Sequence, residues 1–175
     1  LNKYLTGQIS ALGCCGFYKT DYLLNIGGAF SLSNNKIAIH SEYLLLIKTG
    51  LLKNVLYVKN ELVSTRIHSG SWTMANNDYK LFKNAGLNLL RESIKVLKNN
   101  DLEENFPVNF SCILKFVVSS IIVKLYSSKN FNKANETKLL FHLLEKEIKV
   151  LKNPNNYKSA LKSLVNEKNN ISNYR

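Results

Sequence analysis

The feature that most constrains the fold is a run of three long segments with helical periodicity after residue 76. They extend over Asp78–Lys98, Val108–Ser127 and Ala134–Lys152, with Pro107 and Pro154 at their borders. Apolar residues recur along one side of the first and third segments: Tyr79, Phe82, Leu89, Leu90 and Leu97, then Leu140, Leu144, Ile148 and Leu151. This spacing predicts amphipathic helices. We therefore expect a helical region over residues 76–175, with a weak fourth helix near its end, that packs back on the preceding residues.

The second of these segments is apolar except for one narrow polar stripe. Its polar side chains recur at a spacing near four, at Ser111, Lys115, Ser119, Ser120 and Lys124. A helix that lies in a membrane interface carries a wider charged face, and two lysines interrupt the run that a spanning helix would need. We therefore predict a core helix in which Lys115 and Lys124 reach solvent. Its buried residues should include Ile113, Phe116, Val117 and Ile121.

Residues 1–75 differ in character, because they contain short mixed elements. Ile9–Tyr18 is rich in small and apolar residues and favours a buried strand or a strand followed by a loop. Thr20–Ile26 favours a short helix closed by Gly27 and Gly28. Two further strands are expected at Val55–Val58 and Leu62–Ile67. The prediction is an α/β (α+β) part with two or three strands and short helices, joined near Asn76 to the helical region.

The chemically capable residues gather between His40 and Ser71. Ser41 is a good N-cap, Glu42 falls in the first turn of a helix over Tyr43–Lys48, and Gly50 suits the end of that helix. The positive end of the helix dipole favours an ionised carboxylate, as a general base must be. At the exit of the last predicted strand, Arg66 and His68 precede a small-residue turn. We expect the start of the helix to face this exit and to bring Glu42 and His68 to one cleft.

Composition narrows the class of protein. The chain of 175 residues is 45% hydrophobic and has a net charge of +12, which fits a folded soluble protein that meets anionic partners. Its lysines are scattered and no nucleic-acid module is visible, so no nucleic-acid partner is predicted. An odd number of cysteines, with Cys14 and Cys15 adjacent, predicts reduced thiols in the cytoplasm. The first residue is Leu1, so we expect a fragment of a longer chain.

Three segments in the first 75 residues resemble the C-terminal half of a family 2 glycosyltransferase with the GT-A fold. The first ends in a basic residue, a short helix and Gly-Gly, the second is an acidic motif that opens a helix, and the third is a strand that ends in Arg-x-His. In this chain they read SALGCCGFYKTDYLLNIGGAF, SEYLLLIKTG and LVSTRIHSGSWT. They cover roughly residues 6 to 73 in the order of the family. The resemblance implies the acceptor half of a GT-A domain.

The resemblance also implies roles for individual residues. Glu42 matches the catalytic base, although the family more often has Asp there and a second acid at the position of Ser41. Arg66 and His68 match the motif near the donor pyrophosphate, where His68 would contact phosphate or bind a metal. The divalent metal, Mg²⁺ or Mn²⁺, would be held with a nucleotide-binding half that has no counterpart here, since no Asp-x-Asp is present.

Three further residues are candidates for substrate binding. His40 lines the expected acceptor cleft, Trp72 would stack on a sugar face, and Lys19 would meet an anionic group. Four of the candidate residues have an ordinary alternative role. Trp72 could be a core residue, Lys19 a solvated lysine, Glu42 a first-turn residue and His68 a surface histidine.

The function expected from these residues is part of an inverting glycosyltransferase in polysaccharide or glycan synthesis. It would move a sugar from a nucleotide-sugar donor to a glycan or lipid-linked acceptor. The expected location is the cytoplasm, with peripheral association at the inner face of the membrane. The alternative is a non-catalytic basic helical domain that binds an anionic surface or a protein partner.

Overall fold

The computed structural model describes residues 1–5, 8, 16–28, 32, 39–52, 56, 68, 76, 78–102, 107–151, 154–155 and 157–158. These residues contain six helices: α1 (Asn2–Leu5), α2 (Thr20–Asn25), α3 (Ser41–Leu52), α4 (Tyr79–Asn99), α5 (Pro107–Ser127) and α6 (Lys133–Ile148).

The predicted α/β class is wrong, because the described part of the chain is 74% helix and contains no strand. The expected strand at 62–67 lies outside the described residues, as do most of 9–18 and all of 55–58 except residue 56. The described residues 16–18 and 56 have no regular structure. The strand prediction relied on short apolar runs, whose preference for strands depends on neighbours to pair with. The core that is described is instead filled by packing between helices.

Local signals explain where the long helices begin. The Asp78 carboxylate accepts hydrogen bonds from the backbone N–H groups of Lys80 and Leu81 at the start of α4. Asn132 caps α6 through the N–H of Asn135, and Pro107 begins α5, where its missing N–H costs nothing. The three predicted long helices are thereby confirmed, each to within a few residues of its expected bounds.

The short helix α2 is confirmed as well. It ends at Asn25 and is followed by Gly27 and Gly28 with φ of 76° and 58°, the left-handed conformation that glycine adopts most readily. Lys48 on α3 donates to the carbonyl oxygen of Ile26 at 2.5 Å and ties this end of α2 to α3.

Helices α4 and α5 form the centre of the molecule and run antiparallel. Their closest approach is at Gly86, where an added Cβ would lie 2.7 Å from Cδ1 of Ile121. On α5, Ile113, Val117 and Ile121 are fully buried and Lys115 is exposed, as predicted. Phe116 is only half-buried. Lys124 is not free in solvent as expected, because its ammonium donates to the Asn76 carbonyl and lies 4.6 Å from the Phe82 ring centre.

Helix α6 runs parallel to α4 and is joined to it by ion pairs. Glu136 accepts from Lys83 at 3.1 Å and from the Tyr79 hydroxyl at 3.0 Å. At the other end of α6, Glu147 accepts two hydrogen bonds from Arg91. The predicted inner face of this helix is confirmed, since Leu140, Leu144 and Ile148 are buried.

Helix α3 packs along α4, and α1 packs on α5. The largest apolar cluster therefore joins residues of α3, such as Leu44 and Ile47, to residues of the long helices, such as Leu89 and Ile113. This confirms that the C-terminal helices pack back on the first part of the chain. The domain boundary near Asn76 stays a prediction.

One helix among the described residues, over Phe110–Ser127, is long and apolar enough to cross a membrane. Its buried side chains are Phe110, Ile113, Leu114, Val117, Val118, Ile121, Ile122 and Leu125. Burial at this helical spacing along one face is also what a core helix shows.

Candidate functional site at the start of helix α3

The start of α3 has an unusual backbone. His40 has a φ of 62°, and its carbonyl oxygen accepts the first helical hydrogen bond, from the N–H of Leu44 at 3.1 Å. The expected capping role of Ser41 is wrong, because its hydroxyl is buried and has no hydrogen-bond partner in the described part of the chain. Glu42 does lie in the first turn, as predicted, and its side chain is exposed.

The other end of α3 also differs from the prediction. The helix continues through Gly50 to Leu52. An added Cβ at Gly50 would lie 3.0 Å from the Leu1 side chain. Gly50 thus permits close packing of the N-terminal residue rather than ending the helix.

The imidazole of His40 lies in a cluster of aromatic rings from three helices. Its ring centre is 5.6 Å from that of Tyr43 on α3, 6.0 Å from that of Phe82 on α4 and 6.1 Å from that of Phe116 on α5. Tyr43 and Phe116 are in direct contact, with ring centres 4.4 Å apart. The cluster fixes His40, two positions before Glu42.

Burial makes His40 a neutral group. Loss of hydration lowers the pKa of its imidazole to about 4. The nearest hydroxyl is that of Ser120, 3.5 Å from Nε2, but this hydroxyl already donates its single hydrogen to the Val117 carbonyl at 2.8 Å. Ser120 can therefore only accept from His40. The pair is not a nucleophile activated by a base, because the serine proton is committed elsewhere.

Two tyrosines lie beside Glu42. The rings of Tyr4 on α1 and Tyr43 on α3 have centres 6.2 Å apart and an angle of 31° between their planes. Burial, with the Glu42 charge adding to it, raises the pKa of both phenols, and Tyr43 and Tyr18 raise that of Tyr4 further. Both are therefore neutral hydroxyls at physiological pH, able to donate and to accept hydrogen bonds.

The remaining predicted site residues are not brought together by the described structure. Lys19 is exposed and precedes α2, where its side chain makes no capping bond. His68 is exposed, and Arg66 and Trp72 lie outside the described residues. Whether Glu42 and His68 share a cleft stays a prediction.

A metal site is not assembled by the described residues either, since they contain no group of three His, Cys, Asp or Glu side chains suited to hold an ion. Cys112, half-buried on α5, is a free thiol.

Sequence reasoning found Glu42 and His40 but missed the residues that surround them. Tyr43 follows Glu42 directly, and a spacing of three from His40 along α3 places these two rings on one side of the helix. Nothing in the sequence indicates that Tyr4, Phe82, Phe116 and Ser120 meet there, because those contacts depend on how four helices pack.

Comparison with protein-family models, with curated proteins and with solved structures returns no match to this chain.

Proposed function

We propose that this chain takes part in glycosyl transfer from a nucleotide-sugar donor to an acceptor hydroxyl, with Glu42 as the general base. The observation that carries the proposal is the position of Glu42, an exposed carboxylate in the first turn of the twelve-residue helix α3. The three motifs that resemble family 2 glycosyltransferases support it. The proposal does not include the β-sheet that the resemblance implies, because the described residues contain no strand.

Glu42 has the features that a base for this reaction needs. Its carboxylate lies in the first turn of α3, at the positive end of the helix dipole. It is exposed, so an acceptor can reach it, while the aromatic cluster around His40 fixes the backbone beneath it. In the reaction, Glu42 accepts the acceptor hydroxyl proton as that oxygen attacks the anomeric carbon. The bond from this carbon to the diphosphate breaks, and the nucleoside diphosphate leaves with the bonding electrons.

The residues proposed to bind the nucleotide-sugar donor are indicated by the sequence alone. Arg66 and His68 are proposed to meet the diphosphate, and a divalent metal would neutralise its charge. The partners are then a nucleotide sugar and a glycan or lipid-linked acceptor.

The experiment is Glu42→Gln in the complete natural protein, which keeps the shape of the side chain and removes its basicity. Release of nucleoside diphosphate is measured with UDP-glucose, UDP-galactose, UDP-N-acetylglucosamine, GDP-mannose and dTDP-rhamnose. For the donors that are used, we expect turnover to fall about a hundredfold or more with donor binding nearly unchanged. The matched control is Glu145→Gln, an exposed carboxylate on α6, which should leave turnover unchanged.

Unaltered transfer in the Glu42→Gln protein would refute the role of this carboxylate and make it an ordinary first-turn residue. The base would then have to be another residue. If the complete protein releases no nucleoside diphosphate from any of these donors, the non-catalytic alternative is favoured. Its basis is the net charge of +12 and the exposed lysines at one end of the parallel helices α4 and α6. These are Lys95, Lys98, Lys146 and Lys149.

A further inference from the structure

Tyr4 and Tyr43 present two uncommitted hydroxyl groups near the start of α3, close enough to Glu42 to be affected by its charge. Each side chain is half-buried, and no hydrogen bond of either phenol is found within the described residues. Buried or half-buried tyrosine hydroxyls usually have a partner. These two are therefore available to a molecule that binds at the start of α3.

The rings of the two tyrosines are held in place from behind. Tyr43 packs on Phe116, with ring centres 4.4 Å apart, and Tyr4 packs against Tyr43. Since Phe116 belongs to the core helix α5, the pair is a fixed surface rather than two free side chains. Rigid aromatic side chains lose little conformational entropy when a ligand binds to them.

The chemistry of this surface fits a neutral polyhydroxylated ring better than an ion. The Glu42 carboxylate repels anions, and the overall charge of +12 opposes cations. A pyranose offers C–H groups to an aromatic ring and hydroxyls to phenol and carboxylate.

We propose that Tyr4 and Tyr43 bind a pyranose ring of the acceptor and hold its hydroxyl next to Glu42. This rests on the proposed function, in which Glu42 meets an acceptor hydroxyl, and adds the class of ligand and two binding residues. Tyr4 is not in any of the three motifs, so the structure alone brings it to the site.

The test is binding, which does not require turnover. Methyl glycosides of glucose, galactose, N-acetylglucosamine and rhamnose are offered to the 175-residue chain. Saturation-transfer NMR identifies those that bind, and titrations give their affinities. We expect at least one glycoside to bind. Tyr4→Phe and Tyr43→Phe should each weaken its binding by about three- to tenfold, the usual effect of losing one hydrogen bond.

Phenylalanine keeps the ring packing, and thermal unfolding of each variant verifies that the fold is retained. Tyr126→Phe, at a partly exposed tyrosine at the end of α5, is the matched control and should not change affinity. The proposal is overturned if no glycoside binds, or if binding is the same in both variants and the parent chain. The two proposals can fail separately. If glycosides bind at this surface but Glu42→Gln leaves transfer intact, only the catalytic role of Glu42 is refuted.

Discussion

At the scale of single residues, His40 combines two unfavourable features that the surrounding contacts hold in place. A φ of 62° is costly for a residue with a side chain, by roughly 1–2 kcal/mol. Its imidazole is also held among aromatic rings away from water. Such strain persists only where the surroundings enforce it and is commonest at functional sites. Here it sets the direction in which α3 begins and so the position of Glu42.

The low pKa of His40 predicts a loss of stability in acid. Because burial lowers the pKa from its ordinary 6.5 to about 4, the unfolded chain binds a proton between these pH values that the folded chain does not. Stability therefore falls as the pH falls through this window. His40→Asn tolerates the same backbone conformation and does not titrate. Between pH 7 and 4.5, urea unfolding of the parent chain should lose about 2 kcal/mol more than that of the variant.

The comparison with the variant is needed because carboxylates elsewhere also make the stability depend on pH towards the acid end of this range. Glu136 is one of them: although burial raises its pKa, hydrogen bonds from Lys83 and Tyr79 outweigh that effect and lower it. Such groups contribute equally to both proteins. An identical pH dependence in the two would show that His40 is hydrated in solution.

At the scale of helices, the contact between α4 and α5 depends on the absence of a side chain at Gly86. Gly86→Ala gains about 1 kcal/mol of helix propensity, but the new Cβ would overlap Cδ1 and Cγ1 of Ile121, at 2.7 and 2.9 Å. Overpacking costs about 1–3 kcal/mol. We therefore expect a net loss of stability in the parent chain.

The effect of Gly86→Ala on stability should change sign when the Ile121 side chain is truncated. In an Ile121→Ala background, itself less stable by about 2–5 kcal/mol, Gly86→Ala keeps its propensity gain, meets no clash and should raise stability. Urea unfolding of the four proteins gives the coupling free energy. If the effects of the two substitutions simply add, the two helices do not touch at this point.

Helices were also the part of the fold that the sequence could predict. The bounds of α4, α5 and α6 follow from periodicity over many residues and from caps such as Asp78, which are local signals. The predicted N-cap at Ser41 and helix end at Gly50 were wrong, because serine and glycine also occur for other reasons. Ser41 is buried, and Gly50 packs closely against Leu1. The fold class failed because short apolar runs carry no information about their partners. The contact between Tyr4 and Tyr43 could not be predicted from the sequence for the same reason.

At the scale of the whole molecule, one apolar cluster extends across residue 76. Leu44, Ile47 and Leu51 of α3 belong to the same buried cluster as Leu89 and Leu97 of α4. A shared core makes the two parts unfold together, because neither buries its apolar face without the other. The two predicted regions, 1–75 and 76–175, would then be one folding unit.

Ile47→Ala tests this continuity. The side chain is fully buried, so its truncation should lower the free energy of unfolding by about 2–5 kcal/mol. In a single cooperative unit, amide hydrogen exchange in α4 and α5 should accelerate to the same extent as in α3, because all three exchange through the same global opening. The control is Leu24→Ala on α2, where the side chain is 72% exposed, and it should leave exchange nearly unchanged. Faster exchange in α3 with undiminished protection in α4 would instead show that the chain divides near Asn76, with a C-terminal helical unit that is stable by itself.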